Sequence, residues 1–143
     1  MSDEWYTPAS VFKKLNLIFD IDVCAPRGGL PRIPAIRSFD AEMDGLTQEW
    51  SGLVWMNPPY SKPSPWIDKW LAHGNGVALV PTSKAKWTAK LWDSSARVVL
   101  LEPNLKFERP DGTHKQIFMQ CWLWAIGLEA TNALEQGNFG RIR

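Results

Sequence analysis

The chain lacks long hydrophobic runs, has few cysteines and carries almost no net charge. No apolar run approaches the roughly 18 residues that cross a bilayer, so the sequence predicts neither a membrane span nor a membrane partner. Among its 143 residues are two cysteines, Cys24 and Cys121, and residues 1–4 are too polar and acidic for a secretory signal. We therefore expect a cytoplasmic protein with reduced cysteines.

The sequence also lacks the residue clusters of a metal site and of a hydrolase. The two histidines, His73 and His114, stand apart from any cluster of cysteines and histidines, so we predict no metal site. No serine–histidine pair has a supporting third group, which argues against a hydrolase. The formal net charge is only +1, so composition alone does not identify a nucleic-acid-binding protein.

Tryptophan is the residue type in clear excess. The chain has nine tryptophans, of which some must be buried in a core and others could line a pocket, because planar rings stack on purines. The length suits one domain over residues 1–143, and we expect roughly residues 128–143 to form a C-terminal tail.

Apolar segments and helix signals alternate along the chain. We predict strands at residues 18–24, 53–56, 77–81, 97–102 and 116–126, and helices starting at Thr7-Pro8 and spanning 65–73 and 83–94. Residues 26–34 and 38–49 are expected to be loop or irregular. The pattern indicates an α/β fold with a mostly parallel sheet, helices on its faces and, after the Asp111-Gly112 turn, one antiparallel C-terminal strand.

The sequence Asn57-Pro58-Pro59-Tyr60 directly follows the apolar strand at residues 53–56. Neither proline has an N–H for a strand ladder, so the strand must end at Asn57. An amide, a stiffened turn and an aromatic ring are thereby presented at the carboxyl edge of a sheet, where ligands bind in open α/β folds. The four residues could merely cap a turn and end a strand, but their position between a strand and a helix favours a functional interpretation.

The tetrapeptide is suited to methylation of a planar amine. The Asn57 side-chain oxygen and the Pro58 carbonyl could accept hydrogen bonds from the two amino protons, which would localise the nitrogen lone pair. Pro59 stiffens the turn, and Tyr60 could stack on a base that has flipped out of a duplex. No strong general base is required, because the proton becomes acidic once the amine carries the methyl group.

This arrangement resembles motif IV of the S-adenosylmethionine-dependent amino-group methyltransferases, above all those that methylate adenine N6 in DNA. Residues 3–8, with the Thr-Pro pair, resemble motif X of that group, and residues 20–25 resemble a degenerate motif I. In this order the segments are similar to the small, Dam-like, phage-type DNA N6-adenine methyltransferases. The resemblance implies a shortened Rossmann-like class I methyltransferase fold, S-adenosylmethionine as cofactor, an adenine-containing site in duplex DNA as partner and the bacterial host's cytoplasm as location; it leaves the oligomeric state open.

The resemblance assigns the cofactor to the matching motif residues and to one acidic residue beyond them. These residues are Tyr6, Thr7, Pro8, Asp22, Val23, Cys24, Ala25, Asp44 and Asn57. Asp22 could equally be a surface or capping residue, and Asp44 a turn former. The sequence departs from the family pattern at residues 25–29, which replace the glycine-rich turn of motif I, and it shows no clear acidic residue after a second strand. About thirty residues separate Cys24 from Asn57, too few for two complete strand–helix units.

Contacts to nucleic acid are expected from residues beside the tetrapeptide and from later loops. The candidates are Ser61, Lys62, Lys84, Lys86, Lys106 and Arg109. Each lysine alone could instead belong to an ordinary solvated face. The same tetrapeptide chemistry also serves adenine in RNA and glutamine amides in proteins, and the degenerate motif I keeps open a catalytically silent nucleic-acid-binding module.

Overall fold

The computed structural model describes residues 7–26, 33–101, 106–107, 117–118 and 120–143, the two short ranges by backbone alone. Predictions that fall on Tyr6, on Arg109 and on the Asp111-Gly112 turn lie outside these residues. Within them the helices are α1 (Ala9–Leu15), α2 (Ser64–His73), α3 (Trp87–Trp92) and α4 (Leu128–Gln136). The strands are β1 (Phe19–Asp22), β2 (Ala35–Ser38), β3 (Val54–Met56), β4 (Gly76–Pro81), β5 (Arg97–Leu100), β6 (Lys106–Phe107), β7 (Ile117–Phe118) and β8 (Cys121–Ile126). None of the helices in these ranges is long and apolar enough to cross a membrane.

A six-stranded sheet in the order β2-β1-β3-β4-β8-β5 forms the centre of the described chain. The four strands β2, β1, β3 and β4 run parallel, while β8 is antiparallel to both of its neighbours. The predicted α/β class, the mostly parallel sheet and the antiparallel C-terminal strand are therefore confirmed. β6 and β7 form a separate antiparallel pair.

The strand order reverses at β1. From β1 the chain moves outward to β2 and then returns across β1, so that β3 lies on its other side. In the returning segment, residues 39–53, all of which are described, the helical structure is a single 3₁₀ turn at Gly45–Thr47. A reversal of this kind leaves a crevice at the carboxyl ends of the two strands beside it, here β1 and β3.

Apolar side chains cover both faces of the sheet. In β3, Trp55 packs on the face that carries α1 and α4, whereas Val54 and Met56 pack on the face that carries α2 and α3. The Trp55 ring meets the Phe12 ring edge to face at 4.7 Å between centroids. Because successive β3 residues are buried on opposite faces, the strand is a continuous apolar run in the sequence. Helices on both faces of the sheet are thus confirmed.

Two strand predictions differ from the structure. The sequence analysis assigns no strand to residues 35–38, which form β2 at the edge of the sheet. Ile36 and Arg37 are exposed there, so the strand lacks the alternation that would identify it. The single strand predicted at 116–126 is also wrong, because Ile117–Phe118 pairs with β6 while Cys121–Ile126 pairs with β4 and β5.

Gly52, just before β3, can be used to test whether Asp20 of β1 holds the start of β3 in place. It has φ +72°, and a Cβ there would collide with the Asp20 carboxylate, which accepts a hydrogen bond from the Leu53 N–H at 2.7 Å. Gly74 has φ +74°, but a Cβ there would meet only the Leu71 carbonyl oxygen, at 3.9 Å. Gly74→Ala should therefore cost only the left-handed backbone energy, about 1–2 kcal/mol.

We expect Gly52→Ala to lower the free energy of unfolding by at least about 1 kcal/mol more than Gly74→Ala, because it also breaks the Asp20–Leu53 bond. Urea denaturation of the two variants measures the difference. Equal destabilisation would contradict a role for Asp20 in holding the start of β3.

Candidate functional site

A cavity of about 440 Å³ opens at the carboxyl ends of β1 and β3, where the strand order reverses. Five residues predicted to bind a cofactor line it: Thr7, Cys24, Ala25, Asp44 and Asn57. Three more from the tetrapeptide and its flank also line it: Pro59, Ser61 and Lys62. The fold therefore brings together four segments that are far apart in the sequence, at residues 7, 24–25, 44 and 57–62.

Other predicted site residues do not line this cavity. Pro8, Asp22, Val23, Pro58 and Tyr60 are described but do not line the cavity. Lys84 and Lys86 are exposed in the segment before α3, and Lys106 is described only by its backbone in β6. Among the candidate nucleic-acid contacts whose side chains the structure describes, Ser61 and Lys62 line the cavity, and Lys84 and Lys86 do not.

Asn57 and Thr7 meet inside the site. Thr7 is buried, and its Oγ1 accepts a long hydrogen bond of 3.5 Å from the Asn57 side-chain amide. The helix predicted to start at Thr7-Pro8 begins slightly later, at Ala9, and Pro8 is its N-cap residue, without a side-chain bond. The Thr7 hydroxyl instead lies beside the Asn57 amide at the end of β3.

Two carboxylates, Asp40 and Asp44, also line the cavity. Asp40 is not among the predicted site residues, because no strand is predicted at residues 35–38 for it to follow. Asp40 lies two residues after β2, and its Oδ1 accepts bonds from the Glu42 and Met43 N–H groups at 3.0 and 3.1 Å. These bonds turn the chain immediately after the strand. The signal that could have revealed Asp40 was the short apolar pair Ala35-Ile36, with an acidic residue four positions after Ile36.

The 3₁₀ turn places Asp44, Gly45 and Leu46 on the cavity wall. Asp44 begins the turn in a left-handed conformation, with φ 53°, and its carboxylate accepts from the Leu46 N–H at 3.2 Å. Gly45 is buried, and a Cβ there would collide with the Val23 carbonyl oxygen. The turn can therefore lie against the end of β1 only because residue 45 has no side chain.

Tyr60 is half-buried, but its hydroxyl is fully buried and has no hydrogen-bond partner in the described part of the chain. Burial, with smaller contributions from Cys121 and Cys24, raises the pKa of Tyr60 well above its ordinary value. Burial likewise raises the pKa of the Cys121 thiol to about 12. Both groups stay protonated at neutral pH, so neither acts as a base or a nucleophile. The accessible surface of Tyr60 belongs to the rest of the residue, not to its hydroxyl.

Asp22 lies at the end of β1 and is buried. Burial raises its pKa from 3.8 to about 7, and the hydrogen bond from the Cys24 N–H, at 3.3 Å, opposes this only in part. Asp22 lies beside Trp55 of β3 in the sheet, so its side chain is on the face of the sheet that α1 covers. Cys24 and Cys121 do not form a disulfide, and no group of three potential metal ligands occurs within the described ranges.

Comparison with known proteins adds an independent finding. Residues 1–116 match the sequence profile of the family described as DNA N-6-adenine-methyltransferase (Dam). A DNA N-6-adenine-methyltransferase of Haemophilus phage HP1 is 38% identical over 71 residues, which cover 46% of this chain and 39% of the phage protein. The chain thus matches about two fifths of the length of that relative. No solved structure matches the chain.

The buried Asp22 carboxyl makes a pH-dependent contribution to stability. Between its unfolded pKa of 3.8 and its folded pKa of about 7, the folded protein binds more protons than the unfolded chain. The free energy of unfolding therefore falls as the pH rises through this window. From pH 5 to pH 8 we expect the wild type to lose about 2–3 kcal/mol relative to Asp22→Asn.

Denaturant titrations of both proteins at the two pH values measure this difference. Asp93→Asn, at an exposed position just after α3, is the matched control and should follow the wild type. If Asp22→Asn and the wild type respond to pH in parallel, the buried carboxyl does not titrate in this window.

Proposed function

Because the chain belongs to the DNA N-6-adenine-methyltransferase (Dam) family, we propose that it transfers a methyl group from S-adenosylmethionine to adenine N6 in duplex DNA. The observation that carries the proposal is the position of Asn57. Its amide stands at the carboxyl end of β3, on a cavity at the reversal of strand order, and bonds to Thr7. Ligands of open α/β sheets bind at that place.

The residues of the cavity fit S-adenosylmethionine. Apolar groups such as Ala25, Leu46 and Trp66 offer surface to an adenosyl group, and the carboxylates of Asp40 and Asp44 offer acceptors to hydroxyls or an ammonium group. Asp40 stands after the second strand, the place where an acidic residue holds ribose hydroxyls in dinucleotide-binding sheets. When bound, S-adenosylmethionine supplies an electrophilic methyl group on a sulfonium.

Asn57 and Pro58 hold the target amine in this proposal. The Asn57 side-chain oxygen and the Pro58 carbonyl accept hydrogen bonds from the two N6 protons, and this localises the nitrogen lone pair. Both acceptors are fixed before substrate arrives, since Thr7 orients the amide and Pro59 follows Pro58 directly. Fixed dipoles of this kind cost no reorganisation during the reaction. The high pKa of the Tyr60 hydroxyl supports a mechanism without a general base.

The flipped adenine stacks on Tyr60 in this proposal. The Tyr60 hydroxyl is buried while the residue is only half-buried, so its accessible surface can include the ring. Stacking and edge hydrogen bonds offset the few kcal/mol that base flipping costs. Ser61 and Lys62, exposed at the cavity, and Lys84 and Lys86, exposed before α3, contact the DNA backbone.

The proposal treats residues 1–143 as one methyltransferase domain, with residues 128–143 as its C-terminal segment. Two observations support this extent. α4 buries Ala130 and Leu134 in the same core as Trp55, and Ile142 forms a bridge with Val99 of β5.

Replacing Asn57 by alanine should remove one of the two acceptors. We expect methyl transfer at saturating cofactor to fall by about 10²–10³-fold, as for loss of one oriented dipole in other active sites. Binding of S-adenosylhomocysteine should weaken far less. Transfer of labelled methyl groups into unmodified duplex DNA, with calorimetry of cofactor binding, measures both quantities.

Asn132→Ala, at an exposed position on α4, is the matched control and should leave transfer unchanged. Parallel reactions with RNA and with a glutamine-containing protein test the other acceptors. If the wild type binds S-adenosylhomocysteine but methylates no DNA, the DNA assignment is wrong.

A further inference from the structure

The turn at residues 44–48 is one wall of the cavity, yet apolar burial holds it only weakly. Asp44 and Thr47 are exposed, and Leu46 is half-buried. Gly45 is buried but contributes no side chain. A segment with so few apolar contacts can open locally at low cost unless polar contacts hold it.

Lys69 of α2 supplies such contacts. Its Nζ donates to the Leu46 carbonyl at 2.8 Å and also to the Gln48 carbonyl, so one ammonium joins the middle of the 3₁₀ turn and the residue after it to the helix. Lys69 is half-buried and pairs with no carboxylate among the described residues. Hydrogen bonds from a charged donor are stronger than neutral ones, and partial burial limits competition from water.

Trp50, next to Lys69, makes a further contact to the turn. Its indole N–H donates to the Gly45 carbonyl at 2.8 Å, and the Lys69 ammonium lies 5.1 Å from the centre of its ring. The ring also stacks on Trp66 at 6.4 Å, with 24° between the planes. Trp66 both lines the cavity and belongs to the core beneath α2. Lys69 thus ties two carbonyls of the 44–48 turn to α2, and Trp50, stacked on Trp66 of the same helix, holds a third.

We propose that Lys69 and Trp50 are positioning residues, which hold the 44–48 turn in its ligand-binding place and so determine the affinity for S-adenosylmethionine. This inference rests on the proposed function of the cavity. Neither residue reacts with substrate. They act through Asp44, Gly45 and Leu46, whose positions are fixed before the ligand binds, so that binding does not have to order the turn.

The test compares Lys69→Met with the wild type by calorimetry with S-adenosylhomocysteine and by steady-state kinetics. Methionine keeps an apolar stem beside Trp50 and removes the donor. We expect the Kd for S-adenosylhomocysteine and the KM for S-adenosylmethionine to rise about tenfold. At saturating cofactor, kcat should stay within about twofold of the wild type.

A second variant, Trp50→Phe, removes the other donor but keeps an aromatic ring, so it tests the inference even if Lys69→Met folds poorly. It should raise the same Kd by roughly threefold or more. Lys69→Arg retains a cation with several donors and should bring the Kd most of the way back to the wild-type value.

Lys14→Met is the matched control. The Lys14 ammonium also lies over an aromatic ring, 5.3 Å from the centre of Phe139, and donates to the Asn138 carbonyl at 3.4 Å. These contacts are remote from the cavity wall, so Lys14→Met should bind S-adenosylhomocysteine as the wild type does.

Wild-type affinity in both Lys69→Met and Trp50→Phe would overturn the inference, as would a lower Tm with an unchanged Kd, which indicates a structural role alone. A wild type that does not bind S-adenosylhomocysteine would instead overturn the proposed function, and this inference with it.

Discussion

The site depends on the backbone restriction that two adjacent prolines impose at the end of β3. Neither Pro58 nor Pro59 can donate to a strand ladder, so the chain must leave the sheet after Asn57. It leaves at the carboxyl end of β3, beside a reversal of strand order, where a cavity opens. The Asn57 amide thereby lies at the cavity, within 3.5 Å of the Thr7 hydroxyl.

Another wall of the cavity comes from the short crossover between β2 and β3. The crossover from β2 to β3 carries one 3₁₀ turn in place of a helix, so it brings few apolar residues of its own. Apolar packing on this face of the sheet comes from α2, whose Trp66, Ile67 and Trp70 are buried. The same helix thus packs on the sheet, follows Asn57-Pro58-Pro59-Tyr60 in the chain and contacts the 44–48 turn through Lys69. Gly45 also contributes to this wall, because its missing side chain lets the turn lie directly on the end of β1.

Local signals were enough to predict the centre of the sheet and the tetrapeptide. β3 and β4 are buried on both faces, so their sequences are continuous apolar runs, and the prolines mark the end of β3 without reference to any other residue. The edge strand β2 could not be predicted in this way, because pairing with β1 defines it and its own side chains are largely exposed. Asp40 was missed for the same reason. The roles of Lys69 and Trp50 depend on main-chain carbonyls twenty or so residues from Lys69, which no local pattern reveals.

The central claim is that the cavity between the ends of β1 and β3 holds the cofactor with its reactive end facing Asn57. A crystal structure with S-adenosylhomocysteine tests it most directly. The account predicts the ligand in that cavity, with its adenosyl group against the 44–46 turn, a hydroxyl on Asp40 and its sulfur directed towards Asn57. A ligand bound elsewhere on the chain, or one whose sulfur faces away from Asn57, would contradict it.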